Sequence, residues 1–118
     1  IALQNNRGTL LASYASGPFK KYTHAVYVNP AMDASTFAVV PSRSLFEAVK
    51  KLGINVVWED RAGTKDDGSL LAYAQRNNIP YINIETRLGS SAQTQLEIVR
   101  KMVPLVQAEA LAARALAG

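Results

Sequence analysis

Ile79-Pro80-Tyr81-Ile82-Asn83-Ile84-Glu85-Thr86-Arg87 decides how this chain is read. From Tyr81 it alternates: Ile82, Ile84 and Thr86 fall on one face, Tyr81, Asn83 and Glu85 on the other. A two-residue period is that of a strand. A helical pattern precedes the segment and a longer one follows it, which predicts a parallel strand in the interior of a sheet. Its polar face then needs partners, because a buried carboxylate without one costs several kcal/mol or takes up a proton. Glu85 lies near the C-terminal end of the strand, where open α/β sheets place ligands. Arg87 follows two residues later.

Outward from that strand, Ser42 to Leu52 predicts a helix with Leu45, Ala48, Val49 and Leu52 turned inward. Ser44 and Glu47 have capping-box spacing, and Ser42 is the alternative cap. Lys50 and Lys51 suit the negative end of the dipole, and Gly53 suits the left-handed residue that follows. Ile54 to Glu59 reads as a strand. Arg61 to Gly68 reads as a polar loop, with Asp66 or Asp67 able to cap a helix over Ser69 to Asn77 that Asn78 ends. A last helix starts at Ser90 or Ser91, with Leu96, Val99, Met102 and Val103 inward and a kink expected at Pro104. The alanine-rich tail 107–118 keeps its helicity only by packing on something, and is either an oligomer contact or a frayed end.

Towards the N-terminus, Ile1-Ala2-Leu3 reads as a strand running into polar Gln4-Asn5-Asn6. If it is parallel to the Tyr81 strand, these three residues share a sheet edge with Glu85. Thr9 to Tyr22 gives no clear pattern. His24 to Asn29 and Thr36 to Val40 read as strands stopped by Pro30 and Pro41. The second half alternates strand and helix, which predicts right-handed crossovers. The expected fold is one α/β domain over 1–118, three-layered, with a mostly parallel sheet and helices on both faces.

The 118 residues carry 48% hydrophobic and 19% charged side chains, the balance of a folded domain. A formal charge of +4, without a basic stripe, gives no expectation of nucleic-acid binding. Without cysteine there is no thiolate chemistry, and one histidine cannot supply a usual zinc set. No metal or other cofactor is expected. No stretch approaches the roughly 18 apolar residues of a membrane span, and the composition does not fix a compartment. Phosphate-binding glycine loops and a Gly-x-Ser-x-Gly elbow are absent.

Candidate chemistry is therefore confined to a few polar positions. Glu59-Asp60 and Glu85 each end a strand, and on one sheet edge such acids could do acid–base work or bind a metal. The simpler reading pairs them with Arg61 and Arg87. His24 reads as a surface residue, and Ser90-Ser91 as an N-cap more than an anion site. Tyr14, Tyr22, Tyr27, Tyr73 and Tyr81 could line a pocket, but aromatics on strands usually belong to a core.

The pair Ile1-Ala2-Leu3-Gln4-Asn5-Asn6 and Tyr81-Ile82-Asn83-Ile84-Glu85 resembles the C-terminal half of the zinc-dependent carboxypeptidase-like hydrolases. In that family one strand ends in a metal-binding histidine, and a later strand delivers a general-base glutamate. The resemblance implies a catalytic role for Glu85 and a degenerate metal-ligand position at Gln4. It departs from the family in having glutamine there and no upstream paired His and Glu ligands. Two functions follow as expectations. One is a non-enzymatic or degenerate hydrolase-like domain, acting through oligomerisation, as a dimer, or by binding a small polar or peptide-like ligand. The other is a hydrolase fragment with Glu85 as base. The ligand-binding set is Gln4, Asn5, Asn6, Asn83 and Arg87, with Arg87 as a carboxylate clamp.

Overall fold

The computed structural model describes residues 1–8, 10–61 and 70–117. Among these, five strands form one sheet: β1 (Ala2–Asn6), β2 (Thr23–Tyr27), β3 (Phe37–Val40), β4 (Val56–Glu59) and β5 (Asn83–Arg87). The described helices are α1 (Leu10–Ala15), α2 (Arg43–Lys51), α3 (Leu70–Arg76) and α4 (Ala92–Ala117), with a turn of 3-10 helix at Lys20–Tyr22. The expected caps Asp66 and Asp67, and the start of α3 at Ser69, lie outside the described residues.

Across the sheet the order is β1-β5-β3-β4-β2. The Tyr81 segment does become an interior strand, flanked by β1 and β3. β1 runs parallel to β5 and β3 parallel to β4, whereas β5 is antiparallel to β3 and β2 antiparallel to β4. The sheet is thus mixed, which corrects the expectation of a mostly parallel one. For β5 the reason lies in the β4-to-β5 connection. Val39 is opposite both Val57 and Asn83, so Glu59 and Tyr81 stand at one level. The chain leaves β4 and begins β5 at the same edge. An alternating β–α pattern does not encode whether the intervening helix returns across the sheet; α2 does, and α3 does not.

A second correction follows. Glu59 and Glu85 end antiparallel strands, so they lie towards opposite edges of the sheet, not on a shared one. The register nevertheless gives them the same face. Gln4, Glu85 and Phe37 are in line, as are Asn83, Val39 and Val57. Apolar packing separates by the same parity. Phe37, Val39 and Val57 cluster with Leu11 and Tyr14 of α1 and Leu71 of α3. Ala38, Val40, Val56, Ile82 and Ile84 cluster with Leu45, Phe46 and Val49 of α2 and Ile98 and Met102 of α4. Each such large apolar side chain, removed from water, contributes about 1.5–3 kcal/mol.

The local signals explain the element ends. Ser42, not Ser44, caps α2: the Leu45 N–H donates to Ser42 Oγ at 3.3 Å. Gly53 follows α2 at φ +72° and Asn78 follows α3 at φ +54°. Ser91 caps α4 by accepting from the Thr94 N–H at 3.1 Å. α4 runs through Pro104 to Ala117. Its tail is tied to α2 where the Ser44 hydroxyl donates to Glu109 Oε1 at 2.5 Å. In the stretch that gave no pattern, six-residue α1 is set by burial of Leu11 and Tyr14.

Candidate functional site

Strand β1 places Gln4 directly opposite Glu85 of β5, and Asn83 precedes Glu85 by two residues on the same face. Their side chains form a chain of contacts. Asn83 Nδ2 donates to Glu85 Oε1 at 3.3 Å and to Gln4 Oε1 at 3.4 Å. Glu85 is only 3% exposed, and among the described residues neither its Oε2 nor the buried Asn83 Oδ1 has a hydrogen-bond partner. Burial raises the Glu85 carboxyl above its ordinary value, partly offset by the amides of Asn83 and Asn6.

Next to this row is a cavity of about 380 Å³ lined by Gln4, Tyr14, Val39, Glu59, Arg61, Leu70, Leu71, Tyr81 and Asn83. Gln4 and Asn83 reach its wall; Glu85 stands behind Asn83. On the far side, Glu59 is buried and paired with the Arg61 guanidinium. Arg61 lies over the rings of Tyr22 and Phe19, 4.4 and 5.3 Å from their centroids. Gln75 braces the pair, accepting from the Arg61 N–H and donating to the Glu59 carbonyl, both at 2.8 Å. The Tyr14 hydroxyl is pushed upward in pKa, first by burial and then by the Glu59 charge. Tyr81 is raised by burial and by Glu85.

Of the remaining candidates, all but Asn6, whose amide favours the Glu85 carboxylate, go elsewhere. Asn5 faces the opposite side, accepting from Thr86 Oγ1 at 2.9 Å and Gln95 Nε2 at 3.3 Å. Asn6 is buried and donates to the Ser35 carbonyl at 2.7 Å, while its Oδ1 accepts from the Gly8 N–H at 2.9 Å. Arg87 grips Asp33 through two hydrogen bonds of 2.9 and 3.0 Å, not Glu85. That grip holds the Asp33 carboxyl well below the usual range. His24 is exposed, 3.3 Å from Asp60 and stacked at 4.5 Å on Trp58. Ser91 is engaged as the α4 cap.

Sequence reasoning thus found the three residues of the row and the pairing of Glu59 with Arg61. It offered Tyr14 and Tyr81 as pocket residues beside a core reading, but it did not bring Glu59 and Arg61 to the cavity beside Gln4 and Asn83. Strand parity could have placed Glu59 on the Glu85 face, but only once the order of strands was known. A second, mostly apolar cleft of about 330 Å³ lies between the start of α2, the end of α3 and the α4 tail. Among the described residues no group of three or more His, Cys, Asp or Glu could hold a metal ion, and no helix is long and apolar enough to cross a membrane. Comparison with family models, curated proteins and solved structures returns no match for this chain.

Proposed function

We propose that this chain is a non-enzymatic α/β domain that binds a small polar or peptide-like ligand in the Gln4–Asn83–Arg61 cavity. One observation carries the reading: Glu85 and Asn83 each keep a buried acceptor with no donor among the described residues, beside a cavity with polar walls. Side chains that merely satisfied one another would leave no such surplus. Tyr14 and Tyr81 offer flat apolar walls, while Gln4 and Asn83 offer hydrogen bonds. A catalytic role for Glu85 is less well supported. A general base must come within about 2.6–3.2 Å of the proton it takes, and Asn83 stands between Glu85 and the cavity. Kinship with the carboxypeptidase-like hydrolases is kept as a proposal about ancestry; the alignment of Gln4 with Glu85 supports it. So is the three-layer description, with α1 and α3 as the layer over the Glu85 face.

Thermal-shift measurements and backbone NMR titration with amino acids, dipeptides, small carboxylic acids and monosaccharides test the reading. Binding raises Tm and moves the amide signals of Gln4, Tyr81 and Asn83, and Asn83→Leu removes both effects. No response to any of these at millimolar concentration sinks it.

A second reading, self-association, is favoured by one feature. β1 is an outer strand of the sheet; Leu3 on it is 44% exposed, and Ile1 just before it is 46% exposed. An outer strand with apolar side chains is a template for a second chain.

A further inference from the structure

The sheet has two outer strands, and they differ. β2 breaks register between Thr23 and Ala25 and follows Lys20 and Lys21. Bulges and lysines are what sheet edges use against further pairing. β1 has neither. Its register with β5 is continuous from Ala2 to Asn6, it holds no charged residue and no proline, and Leu3, Gln4 and Asn5 on it are exposed. The ends of that ladder fix which backbone groups remain. The Ala2 N–H donates to the Ile82 carbonyl, and the Asn6 carbonyl accepts from the Leu88 N–H. Backbone groups alternate in direction along a strand, so Gln4 also faces β5, while the N–H and C=O of Leu3 and Asn5 face away from it. The Gln4 side chain is half used as well. Its Oε1 accepts from Asn83, and no hydrogen bond among the described residues uses its Nε2.

We propose that two copies of this chain join β1 to β1, antiparallel about a dyad at Gln4, into one sheet with five strands from each. The proposal rests on the self-association reading and adds to it a direction, a register and a shared cavity wall. In this register Leu3 of each copy exchanges both backbone hydrogen bonds with Asn5 of the other, so the outward groups of the two residues satisfy one another with none left over. Gln4 meets the second copy's Gln4 as the close, non-hydrogen-bonded pair, with Cα atoms about 4.5 Å apart. Each Nε2 then donates to the other's Oε1, a reciprocal match that an identical strand supplies. Charge favours the same partner. Copies carrying +4 repel, and β1 is an uncharged strip on which they can meet. Arg7 lies three residues from the dyad, so the two Arg7 side chains branch from points about 20 Å apart along the strands, beyond the roughly 8 Å over which salt leaves charges in contact. A charged extended peptide, by contrast, finds no counter-charge on Ala2–Asn6. Antiparallel pairing keeps both copies on the same face. The second copy's Gln4 therefore stands at the rim of the cavity that the first copy's Gln4 lines.

The full chain has no cysteine, so introduced thiols report the register cleanly. On mild oxidation Gln4→Cys links into a covalent dimer. Leu3→Cys alone and Asn5→Cys alone do not, because each lies two residues out of step with its own copy, beyond the roughly 7 Å that a disulfide spans. An equal mixture of those two variants links one to the other. Sedimentation supplies a second measurement. Leu3→Pro removes one outward N–H and leaves the β5 ladder whole, so it raises the dimer Kd at least tenfold, while Leu3→Val leaves it near the parent value. If the parent is dimeric but Gln4→Cys stays unlinked, or Leu3→Pro associates as tightly as the parent, this geometry is overturned and self-association belongs to another surface. A parent chain that stays monomeric at every concentration overturns both.

Discussion

Gln4 and Glu85 are opposite one another in the β1–β5 ladder, yet their side chains connect only through the amide of Asn83. Glu85 is therefore an acid whose charge the fold opposes. Its folded-state pKa is raised, so it destabilises nothing below its unfolded value of 4.5, and stability falls as pH rises from there through the folded value. The stability of Glu85→Gln relative to the parent chain should increase over that interval and then level off. Denaturant unfolding at a series of pH values measures it; a flat difference contradicts the assignment. Asp33 runs oppositely, since its lowered pKa contributes stability above 3.8 that is lost on acidification.

Arg61→Met should be the most damaging single charge change in the described structure. Glu59 is 2% exposed, and removing the Arg61 guanidinium takes away the cation paired with that buried carboxylate. The loss is about 3–5 kcal/mol, read from the urea midpoint. The double variant Glu59→Gln, Arg61→Met should recover much of it. Arg87→Met, on an exposed pair, should cost far less, and its effect should shrink in high salt.

Gly53→Ala should cost about 1 kcal/mol. The reason is conformational: φ is +72°, and an added Cβ would meet only Asn29 Nδ2, at an ordinary 3.6 Å. Gly53→Asn should cost less, because asparagine tolerates the left-handed region. Equal losses in the two variants would point to crowding instead.

If β1 joins two copies, sedimentation should show a concentration-dependent dimer, and Leu3→Lys should dissociate it without lowering the stability of the single chain. Leu3 is exposed enough to accept the charge. A chain that stays monomeric at every concentration removes the self-association reading.

The parts of this molecule set by neighbours in sequence could be read from it. The Ile82–Glu85 alternation, the cap at Ser42 and the stop at Gly53 are local physics, and the structure contains them. Strand direction was not legible, because it depends on where the 60–82 connection travels. α1 was not legible either: six residues have little intrinsic helicity, and tertiary burial of Leu11 and Tyr14 decides it. Likewise Gln4, Asn83 and Glu85 followed from two strands placed side by side, whereas Glu59 and Arg61 reach the cavity only through the antiparallel return of β5.

β1 pairs with β5 alone, and Asn5 meets Thr86 across 81 positions of chain. Closing so long a loop is entropically slow. The β3–α2–β4 hairpin-sized unit can assemble early, while the N-terminal strand must wait for β5 to be laid down. On a ribosome the polar row would thus wait for β5 to emerge, and a partly made chain would carry Gln4 without Asn83 and Glu85 beside it.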